Sequence, residues 1–205
     1  MSPASAFAAV EIAPGFRDPV LESQATFRAV LDALAEPGRE RDVFGIDAAP
    51  APLPPVMAAV IAMLADFETP VWRDDGLARA EIDAWLAFHT GAPLVADPAA
   101  AAFALVGDAT RMPSFAAFGQ GTDVDPSTST TLILAVDGFG AGRRFRLAGP
   151  GIAASRDFAV GGAPADLARR LGENRALCPR GVDLILAGPT SVVGLPRTTR
   201  IEEIG

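Results

Sequence analysis

The chain has no lysine; all seventeen of its basic residues are arginine. That absence excludes a Schiff base to pyridoxal phosphate, a P-loop lysine and a lysine general base. There is one histidine, His89, so no metal site can draw two imidazoles from a single chain. There is one cysteine, Cys178, and therefore no internal disulfide. No stretch reaches the roughly 20 uncharged apolar residues that a membrane helix requires. Residues 1–15 combine neither a basic start nor a sustained apolar segment, so no signal peptide is expected. These absences lead us to expect a cytoplasmic protein with no membrane contact.

Within those limits, 205 residues suit one domain, 16–205, behind a flexible leading segment, 1–15. A chain of this size buries roughly 70% of the surface its unfolded form exposes, and needs no covalent staple. Hydrophobic residues make up 50%, and the surplus suits a large core or a subunit interface. A net charge of −8 argues against a nucleic-acid partner held through its phosphates. That charge is unevenly placed. Residues 1–137 carry seven Arg against nineteen Asp or Glu, a balance of −12; residues 138–205 carry ten Arg against six acids, +4. An acidic front and a basic back suit docking to other subunits, and a merely solvated surface would look the same.

The organising stretch is Thr130–Ile152. Leu132, Ile133, Leu134 and Val136 make a buried strand, Gly138–Gly142 a reversal, Arg144–Leu147 an alternating second strand, and Gly149-Pro150-Gly151 a stiff corner. This predicts a hairpin in the middle of the sheet. The spacing of Gly138, Gly140 and Gly142 imitates a dinucleotide fingerprint, but an alternating strand follows where that fingerprint needs a helix. The corner is a plain turn or a small anion-binding nest. Upstream, helices are predicted over 22–36, with Phe27, Val30, Leu31 and Leu34 on one stripe, and over 54–66, with Val56, Val60, Met63, Leu64 and Phe67. A third runs over 77–88, with Ile82, Trp85 and Leu86 inward and Gly91 as its C-terminal cap. Short strands are expected at 69–72 and 102–106, and a short helix at 112–118. Downstream come a strand at 156–160, a helix at 164–175 and a buried strand at 182–187 that turns into 191–195. Helices mixed with strands, the late ones joined by hairpins, give an α/β or α+β domain on a mixed sheet.

Each chemically interesting residue has a bland counterpart. His89 sits in the last turn of a predicted helix, where it caps free carbonyls or does general acid–base work. Cys178 is a small buried side chain, or a nucleophile if a base lies near. Asp74-Asp75 and Asp123-Val124-Asp125 suggest a metal, yet neither continues into a calcium loop, and Asp-rich loops are ordinarily turns. Asp32 and Glu36 lie one helical turn apart and form a solvated face or share a proton. Arg197-Thr198-Thr199-Arg200 is the best anion candidate: two guanidiniums and two hydroxyls on extended chain, suited to phosphate or a partner's carboxylates. An exposed terminal strand accounts for it equally well. No catalytic constellation emerges.

Seven motifs in order carry a family resemblance: FRAVLDALAEPG from Phe27 to Gly38, Glu68–Trp72, Phe88-His89-Thr90 with Ala92-Pro93-Leu94, Thr130–Val136, LAGPGI from Leu147 to Ile152, PRGVDLILA from Pro179 to Ala187, and LPRTTR from Leu195 to Arg200. From about Phe16 to Glu202 the chain resembles the H subunit of the bacterial phosphonate carbon–phosphorus lyase system, the PhnH family. The resemblance implies a cytoplasmic homodimer that joins the G, I, J and K subunits in a core complex. That complex attaches a phosphonate to the ribose carbon of a nucleoside triphosphate, displacing adenine and giving ribose 1-methylphosphonate 5-triphosphate. The I subunit is taken to carry this chemistry, so a non-catalytic but required role is implied here, with no catalytic, cofactor-binding or metal residue to transfer. It also implies a single three-layer α/β/α domain similar to the large domain of pyridoxal-phosphate-dependent transferases. Without lysine, this chain cannot hold that cofactor as an aldimine. The rival expectation is a stand-alone enzyme or a nucleotide- or phosphate-binding module using His89 and Arg197–Arg200.

Overall fold

Leu132, Ile133 and Leu134 are wholly buried, and their strand forms the middle of a six-stranded sheet. The computed structural model describes residues 12–204; most of the expected flexible segment 1–15 lies outside the described residues. In chain order the elements are α1 (Leu21–Ala35), β1 (Arg41–Asp42), α2 (Pro55–Leu64), β2 (Val71–Arg73), α3 (Ala80–Thr90), β3 (Phe103–Val106) and β4 (Thr131–Ala135). Then follow β5 (Gly138–Ala148), β6 (Arg156–Gly161), α4 (Leu167–Arg175), β7 (Asp183–Ala187), β8 (Ser191–Leu195) and β9 (Arg200–Glu203).

The main sheet has the order β1-β8-β7-β4-β3-β2. Strands β2, β3, β4 and β7 run parallel; at one side β8 pairs antiparallel with β7 and β1 antiparallel with β8. In β4 and β7 Leu132 faces Leu184, Ile133 faces Ile185 and Leu134 faces Leu186. Successive side chains point to opposite faces, so Ile133 and Ile185 join one core while Leu132, Leu134, Leu184 and Leu186 join another. The first core is completed by α1, α2 and α3, the second by Phe145, Leu147, Phe158 and Val160 of β5 and β6 with Leu167 and Leu171 of α4. The sheet is therefore mixed and the class α/β, as expected. The second face is covered by a three-stranded sheet (β6-β5-β9) together with α4, not by helices alone.

The expected central hairpin is corrected. β4 pairs with β3 and β7, whereas β5 pairs with β6 and β9 in the second sheet. The crossing occurs at Val136 and Asp137, whose N–H groups donate to Ala187 O and Gly161 O, each at 2.9 Å. Gly138–Gly142 is thus no reversal; it opens β5, with a register shift between Phe139 and Arg143. Both strands were identifiable from their patterns, but a pattern does not say which sheet a strand joins. Residues 112–118, expected as a helix, form an irregular segment with one 3₁₀ turn at Phe115–Ala117.

The stripe expected on α1 is also corrected. α1 buries Thr26, Val30 and Ala33, while Phe27 and Leu31 stay exposed. The reason is close approach: a Cβ at Gly194 of β8 would lie 2.6 Å from Ala33 O and 2.7 Å from Leu34 N. The helix rests its small-residue face on the strand, and the large apolar side chains rotate outward. α2 is apolar all round and buries Val56 through Ile61. α3 buries Ile82, Trp85 and Leu86 as expected and ends at Gly91, whose φ of 69° needs a glycine-tolerant position.

The Gly194 contact generates a paired expectation. Gly194→Ala should lower unfolding stability by about 1–3 kcal/mol, because backbone atoms must retreat from the new methyl. Gly172→Ala, inside α4 with nothing within 4 Å of the new methyl, should instead raise it by about 0.5–1 kcal/mol. Urea denaturation of both variants measures the contrast.

Candidate functional site

The LPRTTR segment is a turn, not the extended chain expected: Thr199 N–H donates to Pro196 O at 2.9 Å. The turn separates its four polar residues. Arg197 points into the protein. Its backbone N–H donates to Asp183 Oδ1 at 2.8 Å, its Nε to both Asp183 oxygens at 3.1 and 3.2 Å, and its Nη1 to Pro126 O at 2.9 Å and Pro179 O at 3.1 Å. Its Nη2 reaches Ser129 Oγ and Asp183 Oδ2. With side chains only 14% and 24% exposed, Arg197 and Asp183 stitch the loop before β4 to the start of β7. Thr199 is buried as well, and its hydroxyl has no partner among the described residues.

Thr198 and Arg200 turn the other way. With Pro150, Arg175 and Cys178 they line a hollow of about 350 Å³. The Gly149-Pro150-Gly151 corner lies against them, since a Cβ at Gly149 would meet Thr198 O at 3.2 Å. Cys178 is exposed, which corrects the expectation of a buried thiol; it follows the end of α4, on the protein's outer surface. Arg175 enters the group from the last turn of α4, a position whose only sequence signal was its nearness to Cys178. The end of α4 is thus part of this group. At the other end of the helix, Arg170 Nε donates to Asp166 Oδ1 at 2.7 Å and its Nη1 to Pro113 O at 2.8 Å. The hydrogen bond from Arg170, aided by Arg169, holds the Asp166 carboxyl below its ordinary value of 3.8.

His89 belongs elsewhere. Its Nε2 donates to Ala13 O at 2.9 Å, and its ring lies against Trp85 and the edge of Phe88. Trp85 Nε1 donates to Pro14 O at 3.3 Å, so the two rings fasten Ala13 and Pro14 to α3. This corrects the expectation that His89 caps the carbonyls of its own helix. His89 also borders a second hollow, about 540 Å³, with Phe16, Phe27 and Met63. The imidazole and the LPRTTR segment therefore face different hollows. On the same helical side, Phe27, Leu31, Phe67 and Phe88 are between 51% and 74% exposed; Phe27 borders the His89 hollow, and Phe67 stands out of the stripe expected for it.

The acid pairs have structural roles. Asp74 accepts from Leu77 N–H at 3.0 Å and Gly107 N–H at 2.7 Å, joining the ends of β2 and β3. Asp123 pairs with Arg180 at 3.1 Å, and Glu36 with Arg39 at 3.0 Å. Among the described residues no group of three His, Cys, Asp or Glu side chains is placed to hold a metal. No described helix is long and apolar enough to cross a membrane.

Comparison with known proteins gives a consistent result. Residues 14–202 match the family described as "Bacterial phosphonate metabolism protein (PhnH)". Over 187 residues the chain is 37% identical to "Alpha-D-ribose 1-methylphosphonate 5-triphosphate synthase subunit PhnH" of Rhizobium meliloti (strain 1021), covering 91% of this chain and 94% of that protein. Over 77 residues it is 39% identical to "Putative C-P lyase subunit protein HtxG" of Stutzerimonas stutzeri, covering 38% of this chain and 40% of that protein.

Two outcomes are expected. Arg197→Ala should lower stability by about 2–3 kcal/mol, since it strands a partly buried carboxylate, and Arg197→Lys should recover only part because an ammonium cannot reproduce the fork. Chemical denaturation measures both, and a cycle with Asp183→Ala isolates the pair. Because the folded state depresses the Asp166 carboxyl, its stabilising effect is present above pH 3.8 and lost as pH falls through the lower folded value. Asp166→Asn should be less stable than the parent at pH 7, and the two melting temperatures should converge in acid.

Proposed function

Because the chain belongs to the PhnH family of bacterial phosphonate metabolism proteins, we propose that it is a required, non-catalytic subunit of a ribose 1-methylphosphonate 5-triphosphate synthase. In this reading it forms a cytoplasmic homodimer and joins G, I, J and K companion subunits in a carbon–phosphorus lyase complex, which together activate alkylphosphonates at the expense of a nucleoside triphosphate. It works by shape, as a three-layer domain akin to a pyridoxal-phosphate transferase body that has no lysine to hold the cofactor.

The observation that carries the reading is the bare apolar face. Phe27 and Leu31 of α1, Phe67 beyond α2 and Phe88 of α3 are exposed on the packed helices α1 to α3; Phe27 lines the His89 hollow and Phe88 lies against His89. Isolated exposed apolar residues are ordinary, but a group of them on neighbouring helices marks an interaction surface. Two of the side chains singled out in the sequence, Arg197 and His89, support the same reading. Arg197 is engaged with Asp183, and His89 holds Ala13, so neither is free to act on a substrate in a way the rival reading would need.

The purified chain should run as a dimer and give no turnover of ATP with methylphosphonate. Turnover should appear once the companion subunits are added. Replacing Phe27 and Phe67 together by Arg, both at exposed positions, should leave the thermal melt intact and abolish turnover by the reconstituted assembly. Full activity of the isolated chain would overturn the proposal.

A further inference from the structure

Seven arginines have no carboxylate partner among the described residues; Arg156 is spent on the carbonyls of Glu36 and Pro37, which leaves six, Arg28, Arg79, Arg111, Arg144, Arg175 and Arg200. Two of those six, Arg175 and Arg200, line one hollow. No carboxylate lines it among the described residues, although Asp183 and Glu173 lie close by in sequence; Asp183 is taken by Arg197 and Glu173 by Arg169. Both arginines are exposed at one concavity, so positive charge is gathered there with no carboxylate to balance it, and an anion bound between them would relieve that repulsion.

We propose that this hollow, between the Gly149-Pro150-Gly151 corner, the end of α4 and the start of β9, is an oxyanion site. It takes the phosphoryl or phosphonyl group of a small-molecule ligand, held by Arg175, Arg200 and the Thr198 hydroxyl. The donor set favours a tetrahedral dianion. Each guanidinium offers a planar pair of N–H groups matched to two oxygens, and the hydroxyl supplies a further donor for a third. Thr198 lines the hollow and is only partly buried, so it is placed to contribute its hydroxyl. A carboxylate has only two oxygens and one negative charge, and leaves part of this set unused. The backbone corner contributes Pro150 to the lining. Unlike the subunit role proposed above, this site needs no companion chain to form, because all five lining residues come from this one.

The sole thiol of the chain, Cys178, lies in the same hollow and reports its occupancy. Alkylation of the full-length protein by iodoacetamide should be slowed several-fold, in a saturable way, by methylphosphonate and by tripolyphosphate at constant ionic strength. Acetate under the same conditions should not protect. Arg175→Ala and Arg200→Ala should each raise the half-protecting concentration about tenfold or more, as expected for losing a charge-assisted contact, while Arg79→Ala should leave it unchanged. Both guanidiniums are exposed and unpaired, so these variants should melt with the parent; Arg175→Gln and Arg200→Gln provide a second pair of the same length. Absence of saturable protection, equal protection by acetate, or protection that survives both substitutions would each overturn the assignment. None of these outcomes bears on dimerisation or on reconstitution with companion subunits, so the two proposals can fail separately.

Discussion

The central strands β4 and β7 are apolar on both faces, and neither face can be left in water. Leu132, Ile133, Leu134, Leu184, Ile185 and Leu186 are each 0–1% exposed, and burying a side chain of this kind is worth about 1.5–3 kcal/mol. A sheet with such a centre must be covered twice. Helices α1 to α3 cover one side. On the other, the chain leaves the main sheet at Val136, builds β5 and β6, adds α4, and only then returns as β7 beside β4. The detour exists because the second face needs a cover, and the hollow with Arg175 and Arg200 is formed where parts of that cover meet.

Arginine does here the work that lysine and arginine share in most chains. A guanidinium can reach several acceptors at once, and Arg197 uses this to join Asp183, Ser129 and the carbonyls of Pro126 and Pro179. Arg156 likewise bridges the carbonyls of Glu36 and Pro37, tying β6 to the end of α1, and Arg170 ties α4 to Pro113. A lysine ammonium cannot make these planar, forked contacts. Most arginines are consumed in this way, which gives weight to the two that are gathered in one place without a partner.

How much of this was legible depended on the kind of signal. Buried strands were clear because an apolar run such as Leu132–Leu134, closed off by turn residues, is too short for a helix and too apolar for a loop. Gly91 was clear because a helix end needs a left-handed residue. Sheet membership was not: β5 alternates as a hairpin partner of β4 would, and only three-dimensional packing puts Phe145 and Leu147 over the second face. The α1 stripe misled because periodicity rewards large side chains, whereas Gly194 admits the helix through Ala33. Arg197 and Arg200 looked equivalent in sequence; the turn between them, which composition does not reveal, sends one inward and one outward. Cys178 was expected inside because free thiols usually are, and nothing local in sequence shows that the end of α4 lies at the surface. The family itself was legible from ordered motifs, none of which is specific alone.

A protein of net charge −8 would be expected to repel an anion, and the layered arrangement removes that difficulty. Outside the main sheet, α1, α2 and α3 come from the half of the sequence with a balance of −12, while β5, β6, α4 and β9 come from the half with +4. Apart from the turns around 109–128, the sequence asymmetry becomes an asymmetry between the two sides of one sheet. Packed layers are about 10 Å apart, and the screening length at physiological salt is about 8 Å. The acids of the helical side lie across the sheet from the hollow, and three acids of the segments near it, Asp123, Glu173 and Asp183, are each paired with an arginine. What decides at the hollow is the local pair of guanidiniums. On the two proposals together, companions that cover the apolar helical face need not touch the anion site, and docking and ligand capture would use separate surfaces.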